Sequence, residues 1–187
     1  MKKHKAIRIF MILTVVLIQV FLLTTILKSK YESDNFVAIA SICLVVSAIF
    51  LGYRYLNLHH EDYDYEKLSV VIWVPIGAVI CYFLNVLGNL GSVLSAGITG
   101  SIASLIPLLN KKSLYLNTLP AAIYCGAFVG MSSIEIIPTI NFVIAAGLLA
   151  GIFLMFSKNL FLGIGGKLGT IAFGGVVIVS LLYSLIA

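Results

Sequence analysis

The charged residues of this chain fall in narrow bands, separated by long stretches that carry none. Ile9–Leu27 is uncharged, as are Phe36–Tyr53, Leu68–Asn110, Ser113–Ile134, Ile136–Ser157 and Leu168–Ala187. About 20 apolar residues in a helix cross a hydrocarbon core about 30 Å thick. Most of these runs fit one crossing. Leu68–Asn110 fits two, and Asn85, Asn89 and the Gly88–Gly91 pair interrupt it near its middle, where a tight turn is expected. The alternation of a β-barrel strand is absent, and the runs exceed the roughly 9–11 residues such a strand needs. The pattern predicts an all-α polytopic integral membrane protein with about seven transmembrane helices, or about six if one Gly-rich C-terminal segment is re-entrant.

Composition agrees: 61% of the 187 residues are hydrophobic and 10% are charged. A soluble domain is about half apolar and about a quarter charged. A soluble enzyme, a disordered chain and a disulfide-stapled secreted module are excluded, and no room remains for a nucleic-acid-binding domain. Cys43, Cys81 and Cys125 lie inside apolar runs without CxxC spacing, so neither disulfides nor a metal cluster are expected, and no cofactor.

The net charge of +5 reads as orientation. Lys2, Lys3, Lys5 and Arg8 precede an apolar run longer than a signal peptide's, and the run ends in Lys28-Ser29-Lys30 without a cleavage site. A retained first helix with a cytoplasmic N-terminus is expected. Loops then expected inside carry Arg54, Lys67, Lys111, Lys112 and Lys158, while those expected outside carry Lys28 and Lys30. Lys167 is undecided by this rule. The bias predicts an external C-terminus, a bacterial cytoplasmic membrane, and contact with anionic lipid headgroups rather than nucleic acid.

The chain changes texture along its length. Residues 1–67 read as an N-terminal transmembrane hairpin with a polar cytoplasmic loop. Residues 68–187 read as a Gly-rich helical core, since almost all of the 16 glycines lie from Gly88 onward. Small residues recur at intervals of four: Ser92, Ala96, Gly100 and Ser104; Ala122, Gly126 and Gly130; Gly147 and Gly151; Gly166, Thr170 and Gly174. Such stripes let helix backbones approach closely in lipid, so a tight bundle is expected, with the hairpin wrapped on its outside. Pro75, Pro107, Pro120 and Pro138 are expected at kinks or helix starts.

Several residues are candidates for binding a solute or ion. Lys167 sits among Gly165, Gly166, Gly169 and Thr170. If its helix starts near Asn159, the amine lies about 12 Å deep and needs a partner or a wet cavity, and broken backbone beside it would cradle an anion. If the helix starts at Lys167, the amine snorkels to the headgroups. The lysine is not part of a Walker A loop, because Leu168 follows it. Glu135 is isolated among apolar residues and follows Ser132 and Ser133; there it could bind a cation or relay a proton, or stand at the outer headgroups. Asn85 and Asn89 lie one helical turn apart, either lining a polar path or joining helices. The His59–Glu66 loop reads as solvated, without a second cluster to complete a metal site.

No HExxH or GxSxG motif occurs, and nothing nominates a nucleophile. The leading expectation is a small channel or transporter subunit that moves a small solute or ion, working as a homo-oligomer because one protomer has few side chains to line a path. A non-transporting membrane scaffold, partner subunit or envelope-stress effector is the second reading. An intramembrane lipid-acting enzyme is the third.

Overall fold

A computed structural model describes residues 2–33, 35–55, 64–136, 139–158 and 166–186. Among these the chain is all-helical. The helices are α1 (Lys2–Glu32), α2 (Phe36–Tyr55), α3 (Leu68–Val71), α4 (Trp73–Tyr82), α5 (Ser92–Leu105), α6 (Leu114–Gly130), α7 (Ile140–Phe156) and α8 (Lys167–Ile186). A π-helical segment, Phe83–Leu87, extends α4, and a 3₁₀ turn, Ile106–Leu109, extends α5. Three helical stretches are long and apolar enough to cross a membrane: Leu68–Leu87, Ser92–Leu109 and Lys167–Leu185. Shorter apolar helices cover Phe36–Ala48, Leu114–Gly130 and Ile140–Phe156.

The chain divides into two compact units. The first contains α1 and α2, joined by a short turn in which Asn35 Oδ1 accepts from Ala38 N at 3.1 Å and caps α2. Helix α1 runs past both ends of the apolar stretch Ile9–Leu27, because Lys and Glu are good helix formers and the added turns need not lie in hydrocarbon. This hairpin has little core: Ile18 is buried, while Phe10, Leu17, Phe21, Val37 and Leu44 are exposed.

The second unit comprises Asp64–Lys158 and Gly166–Ala187. Glu66 N donates to Met155 O at 3.1 Å and ties the extended segment before α3 to the end of α7. Helix α4 is the hub of this unit. A side chain at Gly126 or Gly130 of α6 would collide with the α4 backbone at Val74 and Ala78, and one at Gly77 would collide with Ile123 of α6. The pairs advance together along both helices, so α4 and α6 run parallel. Gly147 and Gly151 of α7 press on Pro75 and Val71 in the reverse order, so α7 runs antiparallel to α4. Gly175 of α8 meets Ala146 and Ala150 of α7. Such close approach gains dispersion between backbones, the contribution that would hold these helices together in lipid.

Two of the expected stripes, Ala122-Gly126-Gly130 and Gly147-Gly151, form these contacts. The other two differ in detail. On α5 the buried face is Ser95, Ala96, Thr99 and Ala103, with Gly100 lying against the Tyr124 ring and Ser104 exposed. On α8 the close approach is made by Gly175, next to the expected Gly174. The middle of the bundle is filled, with Val74, Ala78, Ala122, Cys125, Val129, Val143, Ala146 and Ala150 at 0% exposure. The prolines fall as their missing donor requires. Pro75 cannot bond back to Val71, and the helix is interrupted at Ile72. Pro107 opens the 3₁₀ turn, and Pro120 lies inside α6. Pro138 lies outside the described residues.

Candidate functional site

The second unit has two unlike ends. One collects charge. Asp64, Glu66 and Lys67 precede α3, and Lys158 follows α7. Lys111 and Lys112 precede α6, whose first turn reaches this end through Tyr115 Oη donating to Ser69 O at 3.1 Å. Trp73 Nε1 donates to the same Tyr115 hydroxyl at 2.9 Å. Lys158 Nζ pairs with Asp64 Oδ2 at 2.6 Å and lies 3.9 Å from Glu66 Oε1. The hydrogen bond from Lys158 holds the Asp64 carboxyl below its ordinary range, and the same bond raises the Lys158 ammonium above its own.

Lys167 belongs to this end. It is the first residue of α8, the second of the two positions considered above. Gly166 precedes it with φ +81, a left-handed turn that glycine adopts without strain, and Thr170 Oγ1 and N both bond to Gly166 O. The Lys167 ammonium is half-buried and donates to Ser157 O at 2.5 Å and Lys158 O at 2.9 Å. These are carbonyls at the C-terminus of α7, where a cation meets both orphan acceptors and the negative end of the helix dipole. Gly165 lies outside the described residues.

The opposite end holds the other candidates. Gly88 N bonds to Phe83 O at 2.9 Å, closing the π turn around Asn85. Asn89 follows in the left-handed region at φ 50, a conformation Asn tolerates better than most residues, and Gly91 at φ 79 starts α5. The expected turn therefore forms. Asn85 Nδ2 donates to Gly130 O at 3.4 Å and Ser132 O at 3.3 Å, joining the end of α4 to the end of α6. Beside it opens a cleft of about 390 Å³. Asn85, Asn89, Ser92 and Ser133 supply its polar wall, and Val86, Met131 and Ile134 the apolar remainder. Single-turn π insertions recur at functional sites, and Asn85 lies within this one.

What the polar groups of the cleft lack is as informative as what they are. Further along α5, Ser95 Oγ and Thr99 Oγ1 turn back onto carbonyls four residues earlier. Among the described residues, Asn85 Oδ1, the Asn89 amide, and the Ser92 and Ser133 hydroxyls have no protein partner. They are free for a ligand or water. Glu135 is exposed on the turn closed by Ile136 N and Ser133 O at 3.0 Å, one residue beyond the cleft-lining Ile134.

The structure thus gathers Asn85, Asn89 and Ser133 around one cleft, puts the Ser132 carbonyl on Asn85, and leaves Glu135 exposed one residue beyond the lining Ile134. It holds Lys167, Gly166 and Thr170 apart at the charged end. Sequence reasoning noticed Ser92 only as part of a small-residue stripe. The hint available was its spacing from Asn85 and Asn89, which only the turn at Asn89–Gly91 converts into a shared wall. Comparison of the chain with protein families, curated proteins and solved structures returned no match.

Proposed function

We propose that this is a polytopic membrane protein of about seven spans that binds a small solute or ion in the Asn85–Ser133 cleft, as a channel or transporter subunit. The unpartnered polar wall of that cleft carries this reading. Its orientation follows the lysines: the end bearing Lys67, Lys111, Lys112 and Lys158 faces the cytoplasm and its anionic lipids, and the cleft opens outside. Because small side chains fill the middle of the bundle, the onward path lies between copies of the protein in a homo-oligomer.

The same filled middle favours a second reading, a non-transporting scaffold or partner subunit. Reconstitution separates the two. Purified protein in liposomes should exchange a small radiolabelled solute faster than protein-free liposomes. A cysteine at position 133, in a chain whose three native cysteines are replaced, should react with an impermeant thiol reagent from outside and be protected by that solute. Absence of exchange for ions and neutral solutes alike, together with a stable complex with another membrane protein, would establish the scaffold instead.

A further inference from the structure

The chemistry of the cleft also selects its ligand. We infer that it takes a small monovalent cation, an inference that rests on the transport reading above. The first argument is the donor–acceptor balance. Both hydrogens of the Asn85 amide are committed to the Gly130 and Ser132 carbonyls, so the acceptor Oδ1 is the part of that group left free. Asn89, Ser92 and Ser133 add three oxygens that can accept, the hydroxyl hydrogens being free to turn away from a cation, and no charged donor lines the cleft.

The second argument is the field. Between Lys112 and Lys158, Glu135 is the single charged residue, and Leu68–Asn110 carries no charge at all. The helix ending at Leu87 and helix α6 ending at Gly130 both present C-termini here, each equivalent to about −0.5 charge. The N-termini of α5 at Ser92 and of α7 at Ile140 oppose them with about +0.5 each, so the helix ends cancel. With the Glu135 carboxylate the balance is negative, while the lysines gather at the far end of the unit. An anion would enter against this field.

The third argument is valence. Divalent cations are held by several carboxylates or by metal-bound phosphates, whereas neutral carbonyl and hydroxyl oxygens serve ions that surrender their hydration readily. One carboxylate on an exposed turn suits a single positive charge.

The test is tracer exchange in proteoliposomes of the full chain with radiolabelled rubidium, chloride and glycerol in parallel. Rubidium should exchange above protein-free liposomes, with chloride and glycerol at background. Asn89→Gly, which keeps the left-handed turn, with Ser133→Ala should slow rubidium by about tenfold or more. Glu135→Lys, on an exposed turn where folding is not at stake, should slow it several-fold at low salt and much less at high salt, since an exposed charge acts through a screened field. Chloride or glycerol exchange without rubidium would overturn the cation and leave transport standing. Rubidium exchange indifferent to all three substitutions would overturn the assignment to this cleft. No exchange of any tracer would end the transport reading and the inference with it.

Discussion

The two ends of the second unit are built from similar parts and put to opposite use. At the charged end, the ammonium groups of Lys158 and Lys167 are both taken up, one by Asp64 and one by the carbonyls that close α7. At the cleft, Asn85 fixes the ends of α4 and α6 with its nitrogen while its oxygen and three neighbouring side chains stay unpaired. Groups that have found protein partners hold a fold together, and reusing them for a ligand requires breaking those contacts first. Groups held in place by a fixed backbone yet left without a partner are already organised for something else. On the reading proposed above, strong charge is a poor guide to the binding end, and neutral oxygens a better one.

This contrast depends on α4 and α6 keeping their register, because Asn85 reaches Gly130 and Ser132 only while the two backbones stay in contact. The bluntest way to break it is a side chain at Gly126. Its β-carbon would fall on the Val74 carbonyl, which is backbone and cannot swing aside. Gly126→Val should cost at least the roughly 1–3 kcal/mol of ordinary overpacking, and its detergent-purified yield should collapse or its thermal midpoint fall sharply. Gly97→Ala is the control. Nothing lies within 4 Å of the added carbon, and replacing an exposed helical glycine should leave the midpoint unchanged or slightly raised.

A smaller blow falls on the hinge of the cleft itself. Asn85→Ala removes two long hydrogen bonds, to the last carbonyl of α6 at 3.4 Å and to the Ser132 carbonyl beyond it at 3.3 Å. The expected cost is about 1–2 kcal/mol, which lowers the thermal midpoint by a few degrees in a chain of this size. Solute exchange should fall further than stability does, since the variant loses both the tether and an acceptor. An exchange rate that tracks only the folded fraction would reduce Asn85 to a tether.

Much of this arrangement was legible in the uncharged runs. Helical crossings, the turn at Asn89–Gly91 and the stripes at Gly126–Gly130 and Gly147–Gly151 follow from length, glycine and period alone. The pairing of Asn85 with Ser132 was not, because the two are brought together by helix register, which depends on which glycine meets which carbonyl. The sequence leaves the position of Lys167 between two helix starts for a related reason. A lone lysine among glycines looks costly when the helix is assumed to begin at Asn159, yet eight residues further on it is an ordinary cap for the neighbouring helix. The hairpin α1–α2 was easily read as helical.

The charged end should respond least, and its two lysines rank in order of burial. Lys167→Met leaves the Ser157 and Lys158 carbonyls without their donor, for a loss of about 1 kcal/mol where water can still reach the loop, and exchange per folded molecule should stay within about twofold. A loss of exchange matching that of the cleft variants would move the binding site to this end. The exposed pair Asp64–Lys158 should matter less still, since salt and solvent screen it. Its pH dependence has a definite shape. Asp64 is held below its ordinary range, so its contribution is complete above the usual carboxylate pKa and disappears as pH falls through the lowered value. Lys158 is raised, so its contribution is complete below the usual lysine pKa and disappears as pH rises through the raised value. Between those limits the pair contributes a flat term. The difference in thermal midpoint between wild type and Asp64→Asn should therefore be small and constant across neutral pH, and should vanish in acid. A difference that grew on acidification would mean that Asp64 is not the carboxylate paired with Lys158 in the membrane.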